Sequence, residues 1–132
     1  MGTNGLIVQA QSREEIYADK MLAFALRPNR LKYRDLWDML WLHQQGLKPT
    51  LQLIPLKLKE RKLTIDYFFK LYNERKQLLT EDKKIALAFK NEMQRFLPPK
   101  QINEITQHEQ LWGFIVYLIS DLGNQLQREF IK

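Results

Sequence analysis

Apolar residues recur along most of this chain at intervals of three and four positions, the spacing that aligns side chains on one face of an α-helix. The clearest stripe consists of Ile85, Ala88, Phe89, Met93, Phe96 and Leu97. The run from Leu6 to Val8 favours a strand, but no second β-rich run follows with which it could pair. The pattern therefore predicts an all-α fold, a compact bundle of five to six helices with a short extended N-terminal segment.

Capping residues mark both ends of the first helix. Ser12 and Glu15 form an S-x-x-E capping box, in which each side chain satisfies a free backbone donor at a helix start. Pro28 stops the helix, because proline disfavours helical backbone in the residue before it. We therefore expect a first helix from Arg13 to Leu26.

A second helix should follow closely and form a hairpin with the first. It is predicted to run from near Asn29 or Leu31 to Gln45, where Gly46 supplies a left-handed stop. The apolar stripe of this helix comprises Leu36, Trp37, Leu40 and Trp41.

The remainder of the chain carries further helix signals. The stretch between Pro49 and Pro55 is irregular, and the basic residues 57–62 predict a short helix. Thr64 can cap the next helix. Thr80, followed by two acidic residues, predicts the start of another helix, which ends at the two prolines after Leu97.

The last helix is expected after a second capping box. Thr106 and Glu109 repeat the S/T-x-x-E pattern, and the helix should then run to about Phe130.

A length of 132 residues fits one domain, with 45% hydrophobic residues to form its core. Within it we expect an extended lead at 1–11, a helical hairpin at 12–46 and the remaining helices at 47–132. The start lacks the basic region of a signal peptide, and no apolar run approaches the roughly 20 residues that cross a bilayer. The sequence thus predicts a soluble, cytoplasmic protein that does not enter a membrane.

Most enzyme and metal-site patterns are missing from the sequence. It contains no cysteine, no glycine-rich phosphate loop, no H-E-x-x-H pair and no G-x-S-x-G elbow. The two histidines, His43 and His108, lack metal-ligand spacing, so we predict no metal site.

A lysine inside the apolar first helix is the most informative local feature. Lys20 has Ile16 and Phe24 as neighbours at helical spacing, and an unpaired buried ammonium is costly. Asp35 and Asp38 share one face of the second helix, so the hairpin could bring one of them to Lys20. The group is either a structural ion pair that locks the hairpin or a site where lysine contacts a nucleotide phosphate. Spacing alone does not separate these interpretations.

The hairpin resembles the C-terminal helical region of the AbiEii/AbiGii-type nucleotidyltransferase toxins. In that family a helix bearing A-[DE]-K is followed by a helix that begins with a basic residue and D-L-x-D. A weaker similarity lies at E-M-x-R-F-L-P, residues 92–98. The residues that carry the main resemblance are Glu15, Ala18, Asp19, Lys20, Arg27, Lys32, Arg34, Asp35, Leu36 and Asp38.

The resemblance implies a nucleotidyl transfer from a nucleoside triphosphate to an RNA or protein acceptor, in a toxin–antitoxin or abortive-infection system. By the same resemblance, Lys20 would bind the nucleotide and Asp35 would be the catalytic acid of the helical half. Asp38 and Arg34 would instead hold the hairpin together.

One departure from the family bears directly on activity. Its members carry an N-terminal catalytic half with a G-S loop and a metal-binding D-x-D pair, whereas this chain has eleven residues before Ser12 and no D-x-D. Phosphoryl-type transfer depends largely on metal neutralisation of phosphate charge. We therefore expect no catalysis by this polypeptide alone, and a nucleoside triphosphate and Mg²⁺ as cofactors only if a catalytic half is supplied.

Three hypotheses about partners follow. In the first, the chain is a freestanding helical half, either a remnant of a nucleotidyltransferase gene or one part of a split enzyme whose catalytic half is a separate protein. In the second, it is a protein-interaction module that binds an antitoxin or another copy of itself. In the third, it is a nucleic-acid-binding domain. The last rests on a net charge of +6 and on basic residues at the hairpin turn that could bind anions. These are Arg27, Arg30 and Lys32, and a second basic cluster comprises Lys57, Lys59, Arg61 and Lys62.

The homodimer hypothesis has a specific surface. In an isolated helical half, the face that would have met the missing domain must be covered by later helices or by a second copy. We expect the segment from Leu6 to Val8 and part of this face to form the contact. The apolar residues concerned are Ile16, Met21, Phe24, Trp37 and Trp41.

Overall fold

The structure is a computed structural model that describes residues 12–28, 31–93, 95 and 109–131. Its helices are α1 (Arg13–Leu26), α2 (Tyr33–Gln44), α3 (Leu53–Glu60), α4 (Ile65–Glu81), α5 (Lys83–Met93) and α6 (Glu109–Phe130). No strand occurs among these described residues, so the prediction of an all-α fold is confirmed. The predicted extended run from Leu6 to Val8 and the capping residue Thr106 lie outside them.

Helix α1 has the predicted boundaries. The Ser12 hydroxyl oxygen accepts a hydrogen bond from the Glu15 amide at 3.0 Å, and the helix ends before Pro28. At its C-terminal end, Arg75 of α4 donates to the carbonyl oxygens of Phe24 and Arg27. Burial lowers the pKa of this arginine, since a guanidinium loses hydration there. Arg75 thus fastens α4 to the end of α1.

Helix α2 begins at Tyr33, slightly later than predicted, because Lys32 adopts an extended conformation. The predicted stop is present: Gly46 has a φ of +79°, a conformation that a glycine adopts without strain. The amide of Gly46 donates to the carbonyl of His43, and the amide of Leu47 donates to that of Leu42. This paired arrangement is the Schellman motif that commonly ends helices.

The short basic helix lies earlier than predicted. Helix α3 spans Leu53–Glu60 and includes Pro55 in its first turn, where a missing amide donor leaves no helical bond unmade. It ends with Lys62 at a φ of +58° and with the Leu63 amide bonded to the carbonyl of Leu58. Proline therefore lies inside this helix rather than before it.

The boundary between α4 and α5 corrects a second prediction. Thr64 caps α4 as expected, accepting from the Tyr67 amide at 3.1 Å. Thr80 starts no helix, because its hydroxyl donates back to the carbonyl of Gln77 and α4 continues to Glu81. The two helices are separated at Asp82 instead, and the Asp82 carboxylate accepts a hydrogen bond from the Lys84 amide at 2.9 Å.

The core forms around α1, which packs against α2, α3 and α4, while α6 packs against α4 and α2. The ring of Phe24 meets the ring of Tyr72 edge-on, with centroids 5.1 Å apart. The Tyr72 hydroxyl donates to the carbonyl of Ile119 on α6 at 2.7 Å. A Cβ atom at Gly123 would lie 3.0 Å from the Tyr72 ring, so glycine permits this close approach.

Later helices cover most of the apolar face that the homodimer hypothesis considered. Met21 and Phe24 are fully buried, while Trp41 stays 43% exposed. The homodimer itself stays a prediction. No helix in the described part of the chain is both long and apolar enough to span a membrane.

The two buried tyrosines make an alkaline titration informative. Burial is the main cause that raises the pKa of both Tyr17 and Tyr72 above the ordinary value of 10.0. Since folding favours their protonated forms, their contribution to stability is complete below pH 10 and declines as the pH rises towards their folded pKa values. We expect tyrosinate absorbance to show that Tyr17 and Tyr72 ionise only when the protein unfolds. Ionisation of all tyrosines without loss of helical circular dichroism would contradict this.

Candidate functional site

Four charged residues meet where α1 and α2 form their hairpin, and we call them the hairpin ion cluster: Lys20, Arg27, Asp35 and Asp38. The Lys20 ammonium lies 2.8 Å from Oδ2 of Asp38 and 3.5 Å from Oδ1 of Asp35. The Arg27 guanidinium donates from Nε to Oδ2 of Asp35 at 2.6 Å and from Nη2 to Oδ1 at 3.2 Å. The structure therefore brings Lys20 to both aspartates, as the hairpin pattern predicts.

Burial distinguishes the members of the hairpin ion cluster. Asp35 is 2% exposed, and a carboxylate at such a position is costly unless it is paired and hydrogen-bonded. Arg27 supplies a two-bond contact that fits a carboxylate, and this hydrogen bonding is the main cause that raises the arginine's pKa. Lys20 and Asp38 are 27% and 29% exposed, so their contact faces water.

Sequence reasoning missed that Arg27 is the principal partner of Asp35. It treated this arginine as a candidate anion binder at the hairpin turn, but two of its donors are used inside the protein. The available signal was its position directly after α1, within reach of the first turn of α2. Lys32 and Arg34 are exposed, and Arg30 lies outside the residues that the structure describes. The nucleotide and anion-binding roles stay predictions.

A second ion network joins α3 to α1. The Lys57 ammonium lies 3.0 Å from Oδ1 of Asp19 and 3.3 Å from Oε2 of Glu15. Hydrogen bonding to Asp19 is the main cause that raises the pKa of Lys57. Lys57 is therefore paired with acids, whereas the neighbouring Lys59, Arg61 and Lys62 are exposed.

The described residues do not fit a divalent metal. No group of three or more histidine, cysteine or carboxylate side chains is placed to hold an ion within the described ranges. The buried carboxylate of Asp35 is bonded to two cations, which compete with any metal for its oxygens. Of the two cations in the hairpin ion cluster, Lys20 fits a phosphate group better. Arg27 is the more exposed of the two, but it gives two donors to the buried Asp35, whereas the contact of Lys20 with Asp38 faces water.

Comparison with known proteins gives one positive result. Neither the curated proteins nor the solved structures contain a match. A family model described as "Nucleotidyl transferase AbiEii toxin, Type IV TA system" matches residues 3–113, a range that contains the whole hairpin ion cluster. Because this match covers more than half of the 132 residues, the chain belongs to the AbiEii nucleotidyl transferase toxin family of type IV toxin–antitoxin systems.

Proposed function

We propose that this chain acts as the helical half of a nucleotidyltransferase-like toxin and transfers no nucleotide until metal-binding carboxylates are supplied by a catalytic half. The family match supports the nucleotidyltransferase class and an antitoxin as partner. Two observations support the need for a further half: the sequence has no D-x-D, and the described residues offer no metal site. Because metal neutralisation of phosphate charge is a principal part of this chemistry, its absence should abolish transfer.

The proposal rests on the hairpin ion cluster, because its two cations have different roles. Arg27 neutralises the buried Asp35, so this carboxylate keeps a partner when Lys20 turns elsewhere. Lys20 can exchange its water-facing contact with Asp38 for a phosphate oxygen at little cost, since exposed ion pairs contribute about 0–1 kcal/mol. Lys20 is therefore the residue proposed to contact the triphosphate.

The catalytic role that the family resemblance implies for Asp35 requires a free carboxylate. In this chain both of its oxygens are bonded and the residue is 2% exposed. We assign it a positioning role, in which it orients Lys20 and Arg27. It would act as a catalytic acid only after Arg27 had released it.

Nucleotide binding tests the role of Lys20. We would titrate the isotope-labelled protein with the Mg²⁺ complex of ATP, and then of GTP, CTP and UTP, and follow the amide signals of 17–23 and 35–38 by NMR. We expect saturable shifts with at least one nucleotide, and about tenfold weaker binding by Lys20→Met, since one charge-assisted contact is lost. Asp38→Asn is the matched control and should bind at least as well, because it frees the ammonium.

The same preparation tests the need for a catalytic half. With labelled nucleotide, Mg²⁺ and an RNA mixture, we expect no incorporation above a blank. Incorporation that Lys20→Met abolishes would contradict the proposal that the chain is inactive alone while supporting the lysine's role. Equal shifts in wild type and Lys20→Met would remove that role.

The other partner hypotheses stay predictions. Exposed aromatic residues near the start of α6 are compatible with a protein partner: the ring centroid of Phe114 lies 5.6 Å from that of His43 and 6.3 Å from that of Tyr117, which is 63% exposed. Aromatic side chains are enriched at protein interfaces.

A further inference from the structure

A cavity of about 220 Å³ lies along α1, at the C-terminal end of α3. Arg27 and Arg61, the residues that follow these two helices, both line it. Its volume is below the roughly 300–1,000 Å³ of small-molecule sites, so the cavity fits a single side chain better than a whole cofactor. The rest of the lining comes from one face of α1: Asp19, Leu22, Ala23 and Leu26.

The cavity lies where α3 ends short of the end of α1. Helix α3 has 8 residues and α1 has 14, a difference of about 9 Å in length. Lys57 of α3 still meets Asp19 of α1 at 3.0 Å, but the chain then turns at Lys62, whose φ is +58°. Ala23 and Leu26, further along α1, stay partly exposed. An apolar strip of α1 is therefore left at the end of α3.

Two arginines give the cavity a positive charge. Arg61 is exposed and donates from Nη1 to the carbonyl of Lys57 at 3.2 Å, so most of its five donors face water. Arg27 is 35% exposed, and it gives Nε and Nη2 to Asp35. The acid in the lining, Asp19, is paired with Lys57. The cavity thus combines an apolar wall with a surplus of guanidinium donors.

We propose that this cavity binds a protein partner through an apolar side chain that lies next to carboxylates, as in a short acidic segment that contains leucine. The apolar side chain would contact Leu22, Ala23 and Leu26, and the carboxylates would meet the two arginines, whose planar guanidinium groups fit them.

The lining favours a polypeptide over a nucleic acid. Proteins that bind single strands stack bases on aromatic side chains, and no aromatic residue is among the described residues that line this cavity. Lys20 and Asp38 do not line it either, so this proposal and the nucleotide contact of Lys20 can fail independently.

The first test uses acetyl-Glu-Leu-Asp-amide as the probe. Acetyl-Gln-Leu-Asn-amide is the matched peptide without charge, and acetyl-Glu-Ala-Asp-amide is the matched peptide with a smaller apolar side chain. We would follow the amide signals of 22–26 and 61 by NMR. We expect saturable shifts with the probe and at least about fivefold weaker binding of each control, the scale of one exposed ion pair or of a few buried methylene carbons.

Two results of this titration would overturn the proposal. The first is equal binding of all three peptides, or no saturable shift with the probe. The second is a shift of the same signals by oligouridylate at concentrations where the probe gives none, which would assign the surface to RNA.

The second test uses protein variants. Arg61→Gln should weaken binding of the probe about fivefold and leave the helical circular dichroism unchanged, since Arg61 is exposed. Ala23→Leu should weaken binding as well, because the added carbons occupy the cavity while every charge remains. Arg128→Gln is the matched control and should bind normally, because this exposed arginine of α6 does not line the cavity. Unchanged affinity in either cavity variant, or an equal loss in Arg128→Gln, would contradict the proposal.

Discussion

Replacing Arg27 by methionine is expected to lower the free energy of unfolding by about 2 kcal/mol, since the buried carboxylate of Asp35 then loses its two shortest hydrogen bonds. The loss should fall below that of a fully buried ion pair for two reasons. Arg27 itself is 35% exposed, and Lys20 remains 3.5 Å from the carboxylate. Urea unfolding followed by circular dichroism measures the change.

Two control variants distinguish the buried Arg27–Asp35 ion pair from an ordinary surface ion pair. Asp38→Asn removes a contact between residues that are both more than a quarter exposed, so we expect a loss under about 1 kcal/mol. The double variant Arg27→Met, Asp35→Leu should recover much of the stability lost by Arg27→Met, because no buried charge is left without its partner. If Arg27→Met is no more destabilising than Asp38→Asn, the Arg27–Asp35 ion pair does not stabilise the hairpin.

Phe24→Ala is expected to have the largest effect on stability, about 4 kcal/mol. The side chain is fully buried between α1 and α4, and its loss removes the edge-on contact with Tyr72 and leaves a cavity. The measurement is again urea unfolding. Leu87→Ala is the matched control: this side chain is 60% exposed, so its truncation should cost under about 0.5 kcal/mol. Similar losses for the two variants would mean that Phe24 is not in the core.

Local signals allowed the helices to be predicted, because apolar period and capping depend on residues close in sequence. Ser12 and Thr64 cap as expected, since each hydroxyl meets an amide three residues ahead. The prediction that Thr80 starts a helix was wrong, because a threonine hydroxyl can also donate to a carbonyl of the preceding turn. The sequence does not indicate which of the two hydrogen bonds the hydroxyl makes. The prediction that the short helix begins after Pro55 was wrong, because a proline is compatible both with the first turn of a helix and with the end of one.

The candidate site was only partly predictable, for a related reason. The meeting of Lys20 with Asp35 and Asp38 follows from two helices joined by a short turn. Arg27 is the main partner of Asp35 because of the backbone conformation at the end of α1. The pattern of apolar and polar residues does not specify that conformation. A cavity lined by residues of both α1 and α6, among them Tyr17 and Asp121, was beyond prediction, because only tertiary packing brings these distant parts of the sequence together.

The absent side chain at Gly123 determines how α6 can slide along α4. Tyr72 rests where even one methyl carbon would lie 3.0 Å from its ring. A displacement of α6 by one turn would bring Ile119 or Gln127 to that point, and both are far larger than the space allows. The bundle therefore has one axial register at this seam.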